Sequence, residues 1–144
     1  MKPEHVFIDT NVFLRYILND VPEQADAVER LLHRAARGEI ALITNSMVIA
    51  EIVWTLESFY RVPKEQVQRV VLGILNTPGL DVADADLVLL AIDAHVTKNV
   101  DFIDAYNAAW CLKHGIEAVC TFDRKHFSRL EGISVQVPTS QSPQ

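Results

Sequence analysis

Val6-Phe7-Ile8-Asp9-Thr10-Asn11-Val12-Phe13-Leu14 is the stretch whose reading sets the fold. Its short apolar run ends in Asp9, Thr10 and Asn11, residue types that accept hydrogen bonds from the first amides of a helix. The segment therefore reads as a strand handing over to a helix, with an acid at the strand's carboxyl end. Outward from it the alternation repeats. Strands are expected at 6–8, 41–43, 80–82, 118–120 and 134–137, and helices at about 11–18, 22–37, 46–60, 63–75, 84–98 and 101–114. Pro22 and Pro63 suit first helical turns, Gly38 and Gly115 follow helix ends, and Ser46, Asp84 and Asp101 suit helix starts. In the fifth helix Leu87, Leu90, Ala91 and Ala94 fall on one apolar stripe.

Strands that alternate with helices predict the α/β class, a parallel sheet covered on both faces. Ligands of such folds gather beyond the carboxyl ends of the strands, where strand order reverses. Asp9 and Asp123 both end predicted strands, so they meet in that crevice if the two strands are neighbours.

The 144 residues suit one domain, expected over residues 1–137, followed by a polar tail at 138–144 expected to be disordered. Hydrophobic residues at 49% and charged residues at 22% are ordinary for a globular chain and give no run long enough to span a membrane. Met1-Lys2-Pro3-Glu4-His5 does not read as a signal peptide, and Cys111 and Cys120 read as reduced thiols of a cytoplasmic protein. A net charge of −6 argues against binding nucleic acid through a broad basic face. It does not exclude an enzyme that acts on nucleic acid.

Four carboxylates stand out because their neighbours are apolar: Asp9 after Val6-Phe7-Ile8, Glu51 between Met47-Val48-Ile49-Ala50 and Ile52-Val53-Trp54, Asp104 beside Ala105, Ala108 and Ala109, and Asp123 after Ala118-Val119-Cys120. Each also has a plain reading. Asp9 suits a helix cap, Glu51 a paired or solvent-bordering site, and Asp123 a turn. Asp101 and Asp104 share a helix face, with Asp101 read as the cap and Asp104 as the inward acid. Two carboxylates about 4 Å apart repel by roughly 4 kcal/mol at an effective dielectric near 20, so a converging set calls for a divalent cation. Alternatives are poorly supported. The five histidines show no paired zinc spacing, no Gly-rich phosphate loop is present, and no Ser or Cys nucleophile motif occurs. Arg124, Lys125 and His126 suit either a solvated turn or a phosphate-contacting rim.

These residues resemble the PIN-domain family, and within it the VapC-type ribonuclease toxins. The matching segments are Phe7-Ile8-Asp9-Thr10-Asn11-Val12, Val48-Ile49-Ala50-Glu51-Ile52-Val53-Trp54-Thr55-Leu56, Asp101-Phe102-Ile103-Asp104-Ala105-Tyr106-Asn107-Ala108-Ala109 and Val119-Cys120-Thr121-Phe122-Asp123-Arg124-Lys125-His126-Phe127. The resemblance implies a three-layer α/β/α sandwich around a five-stranded parallel sheet. It also implies an endoribonuclease that uses Asp9, Glu51, Asp104 and Asp123 with Mg²⁺ or Mn²⁺, an RNA substrate, a VapB-like antitoxin and a homodimer. On that chemistry Asp9 and Asp104 are the principal metal ligands, Glu51 and Asp123 act through water, and Thr10, Asn11 and Thr121 support them. The antitoxin's apolar residues are expected around Val28, Leu31 and Leu32 on one side and Trp54 and Phe59 on the other. Two further readings stand beside it: a non-cleaving regulatory PIN domain, and a stand-alone metal-dependent nuclease or phosphatase. A phosphatase working through an aspartyl-phosphate wants a second acid where Asn11 stands.

Overall fold

Ile40–Thr44 is the strand around which the first half of the chain is organised. A computed structural model describes residues 2–139; five residues of the tail expected at 138–144, residues 140–144, lie outside the described residues. The chain divides into two compact units, one ending at Ala85 and one starting at Asp86.

In the first unit β1 (Glu4–Phe7), β2 (Ile40–Thr44) and β3 (Leu80–Val82) form a parallel sheet with β2 in the middle. Val6 lies opposite Leu42, and Leu42 opposite Leu80. Around the sheet's strands in sequence run α1 (Thr10–Leu18), α2 (Pro22–Ala36), α3 (Ser46–Trp54), a π-helical turn (Thr55–Phe59) and α4 (Lys64–Leu75). Ile40, Leu42 and Thr44 of β2 are buried, as are Ile49, Ile52 and Val53 of α3 and Val67 and Val71 of α4. Each of these buried Ile, Leu and Val side chains stabilises the fold by about 1.5–3 kcal/mol relative to exposure. The end of β1 is held twice: Ile8 N–H donates to Ile43 O at 2.8 Å, and the buried Thr44 Oγ1 donates to Ile8 O at 2.9 Å. That pair fixes where Asp9 leaves the sheet. Gly79, at φ 79°, is required on two counts, since a Cβ there would run into the Ala35 carbonyl.

The second unit contains α5 (Ala85–Thr97) from Asp86 onward, α6 (Phe102–Lys113), β4 (Ala118–Cys120), α7 (Arg124–Phe127) and β5 (Ser134–Gln136), with β4 and β5 paired in parallel. Buried His95 links the end of α5 to the next loop through Nδ1 and Val100 O, 2.6 Å apart. Among the described residues no helix is long and apolar enough to cross a membrane.

Helices alternate with parallel strands as expected, but the single five-stranded sheet is not observed. The strands pair as three and two. Local apolarity specifies that a segment is extended; it says nothing about which distant strand receives its hydrogen bonds. The helix expected over 46–60 changes pitch instead of continuing, because Tyr60 N–H donates to Thr55 O, five residues back, at 3.2 Å. Asn45, rather than Ser46, caps α3, accepting from Val48 N–H at 3.2 Å. Asp84 adopts φ 56° before α5, a left-handed turn rather than an extended cap. In α5 the inward stripe is Leu87, Val88, Ala91, Ile92 and His95, whereas Leu90 is 59% exposed.

Candidate functional site

Asp9 and Glu51 belong to the first unit, Asp104 and Asp123 to the second. Asp9 emerges from the anchored end of β1 and caps α1, accepting the Asn11 N–H through Oδ1 at 3.1 Å. It is exposed and borders an open cleft of about 340 Å³ with Asn11, Arg15 and Gln24. The cap reading is therefore realised, and it is compatible with a site role because it engages one carboxylate oxygen.

Glu51 corrects an expectation. Val48, Ile49, Ile52 and Val53 take the inward face of α3, so Glu51 points to solvent. It shares the outer stripe, at i, i+4 and i+7, with Met47 and Trp54, which are 82% and 63% exposed. Apolar neighbours in sequence did not mean apolar surroundings in space. No burial penalty falls on this acid.

The second unit gathers Asp101, Asp104, Asp123 and His126. Asp101 occupies the N-cap position of α6, but its side chain makes no capping bond; instead its backbone N–H donates to His126 Nδ1 at 2.8 Å. Asp104, in the first turn of α6, is partly buried and its Oδ2 lies 3.3 Å from the same ring nitrogen. An imidazole nitrogen that accepts an amide hydrogen has no proton to offer a second partner. The amide bond to Nδ1 is the shorter and directed one of the two contacts, and the carboxylate of Asp104 approaches beside it. Burial is the main reason the Asp104 carboxyl is pushed above its ordinary range, and the neighbouring Asp101 and Asp123 charges add to the rise. The helix N-terminus is a favourable place for an anion, which helps to retain Asp104 there.

Asp123 is exposed and caps the one-turn helix α7, its Oδ1 accepting Lys125 N–H at 3.2 Å while its own N–H donates to Thr121 Oγ1 at 3.0 Å. The turn reading of Asp123 is thus realised as well; Thr121 bonds its backbone and not its carboxylate. Ala105 and Ala108 are buried, yet the cavity of about 540 Å³ that they line with Ala109, Leu87, Leu90 and Leu112 includes none of the candidate acids.

Among the described residues no three His, Cys, Asp or Glu side chains are gathered closely enough to hold a metal ion by themselves. The donor chemistry nevertheless fits a hard divalent cation: the site offers carboxylates without thiolates, and Mg²⁺ commonly takes one or two protein carboxylates and completes its shell with water. Asp104, partly withdrawn from solvent and crowded by two like charges, is the group such a cation would relieve most.

Two features had no counterpart in the sequence reading. His126 sits 25 residues from the amide that it accepts, and Arg129 Nη1 donates to Asn99 O at 2.6 Å across a similar separation. No local signal marks such a tie, although His126 does fall one helical turn after Asp123. The expected antitoxin groove is also redrawn. Val28, Leu31 and Leu32 line a tight cleft of about 20 Å³ with Val12, Phe13 and Tyr16, whereas Trp54 and Phe59 are not in its wall. Phe59 is 71% exposed and meets Tyr60 edge-on, ring centres 4.8 Å apart.

The PIN domain family model matches residues 6–133, a stretch that includes all four acids. The chain is similar to a VapC ribonuclease of Aquifex aeolicus (strain VF5), 27% identical over 135 residues, which cover 94% of this chain and 98% of the relative.

Proposed function

We propose a function from a premise that the match over residues 6–133 establishes: the chain belongs to the PIN domain family. The protein is a Mg²⁺- or Mn²⁺-dependent endoribonuclease, the toxin of a VapBC-type pair, formed by a single PIN domain over residues 1–137 and acting on RNA in the cytoplasm. The observation that carries this reading is Asp104, an acid held at a helix start with its carboxyl raised by burial and by two neighbouring acids. Carboxyls perturbed in this way concentrate at functional sites. Likeness to a relative named as a VapC ribonuclease over nearly the whole of both chains supports the choice of substrate.

Asp9 and Asp104 are the residues that would hold the cation. When bound, the cation activates water and offsets charge developing on the scissile phosphate. Glu51, exposed on α3, orients the attacking water by accepting its hydrogen bond. Asp123 is assigned the same role through water, with Thr121 holding its backbone. Arg124 and Lys125, next in sequence, contact phosphate oxygens and position the strand. Water attack on phosphorus breaks the bond to the leaving oxygen and gives a 3′-hydroxyl and a 5′-phosphate.

The partner is a VapB-like antitoxin that sets an Arg or Lys among the acids and lays apolar residues on the exposed Met47, Trp54 and Phe59 surface. The protein acts as a homodimer. One observation favours a second reading, a regulatory PIN domain that binds without cutting: no group of three ligands is preassembled among the described residues. Incubating purified protein with RNA in Mg²⁺, Mn²⁺ or EDTA separates the two. Metal-stimulated cleavage supports the nuclease; binding without cleavage in either metal supports the regulatory protein.

A further inference from the structure

His126 belongs to α7, the turn capped by Asp123, yet its ring accepts the backbone hydrogen of Asp101, the residue that opens α6 and precedes Asp104 by three positions. The same ring nitrogen stands 3.3 Å from Asp104 Oδ2. One side chain therefore touches the helix start that carries one candidate acid and rides on the turn capped by another. Arg129, one helical turn further on, ties the same region to the loop before α6 through Asn99 O. The bond to Asp101 has a second consequence. A helix-start amide lacks an intrahelical acceptor, and the imidazole supplies one for the amide of Asp101. The Asp101 side chain itself makes no capping bond.

We propose that His126 is a positioning residue that sets the spacing of Asp104 and Asp123 by accepting the Asp101 amide through Nδ1. This inference rests on the proposed metal-dependent site, because the spacing matters only if those acids serve a cation together. It goes beyond that reading in assigning a role to a residue that is itself neither acid nor ligand. Groups that orient metal-binding side chains typically change metal affinity by about 10–100-fold when removed.

Asn and Leu separate the bond from the bulk. In His126→Asn the amide oxygen stands on the γ-carbon, where Nδ1 stands, and can accept the same hydrogen; His126→Leu keeps size without an acceptor. Three measurements on the purified full chain follow: the long-range nitrogen spectrum of the ring, exchange of the Asp101 amide hydrogen, and Mn²⁺-induced broadening of the Asp104 and Asp123 amide signals. The spectrum is expected to show Nδ1 bare and Nε2 protonated, and the Asp101 amide to be protected in wild type and His126→Asn but not in His126→Leu. The Mn²⁺ concentration for half-maximal broadening is expected to rise about ten-fold or more in His126→Leu and to return near wild type in His126→Asn. A protonated Nδ1, equal Mn²⁺ dependence in all three proteins, or equal loss in both variants overturns the proposal. None of these readouts uses RNA, so a wild type that binds Mn²⁺ as expected but cuts no RNA overturns the nuclease reading and leaves the positioning role standing.

Discussion

Asp104 owes its interest to a balance that only the folded chain reveals. Its carboxyl is raised by burial and by Asp101 and Asp123, so the folded protein holds the proton more tightly than the unfolded chain does. The stability that this group contributes is full below the ordinary aspartate range and is lost as pH climbs through the raised value. Without metal, Asp104→Asn is therefore expected to melt above wild type at neutral pH, an advantage that shrinks as the pH falls below the ordinary aspartate range. Thermal scans across that range check it; an Asn variant that melts lower at neutral pH contradicts the burial account. In the cleavage assay the same substitution is expected to lose at least about a hundred-fold in rate, since Asn keeps the shape and discards the charge a hard cation needs. Asp101→Asn is expected to cost much less, because the bond that Asp101 makes to His126 runs through its backbone.

At the scale of the element, the two exposed aspartates are helix caps as well as candidate site acids. Asp9 and Asp123 each accept a backbone hydrogen two residues on. Asn caps a helix about as well as Asp, whereas Ala forfeits about 1 kcal/mol. Asp9→Asn is thus expected to keep the melting temperature and lose cleavage, and Asp9→Ala to lose both; equal destabilisation by the two would refute the division of labour. Glu51→Gln, on an exposed stripe, is expected to leave stability within about 0.5 kcal/mol of wild type while slowing cleavage. The positions of these elements were readable in the sequence because short apolar runs and turn residues are local signals. Asp9 at the end of β1 and Asp104 in the first turn of α6 both follow from them. The outward aim of Glu51 did not, since every neighbour of an apolar helix looks alike until one face is chosen for burial. Nor did the bond from Asp101 to His126, which depends on how α6 and α7 pack, or the division of five strands into three and two.

For the whole molecule, charge and composition constrain partners more than fold. A net charge of −6 with the exposed apolar side chains Met47, Trp54 and Phe59 suits a basic, partly apolar antitoxin segment. Its binding is expected to weaken as salt rises and to weaken further in Trp54→Ala, which a pull-down with the neighbouring small reading frame's product measures; salt-independent binding, or a Trp54→Ala variant that binds as wild type does, contradicts that surface. The chain's place in the PIN domain family spans both compact units, so the account stands or falls on the acids of both. The most direct measurement is RNA cleavage by the wild type and by Asp104→Asn in Mn²⁺, in Mg²⁺ and in excess EDTA. The account predicts cleavage by the wild type in metal alone and none above background for the variant or in EDTA. Cleavage that survives EDTA, or a variant that cuts as well as the wild type, would contradict it.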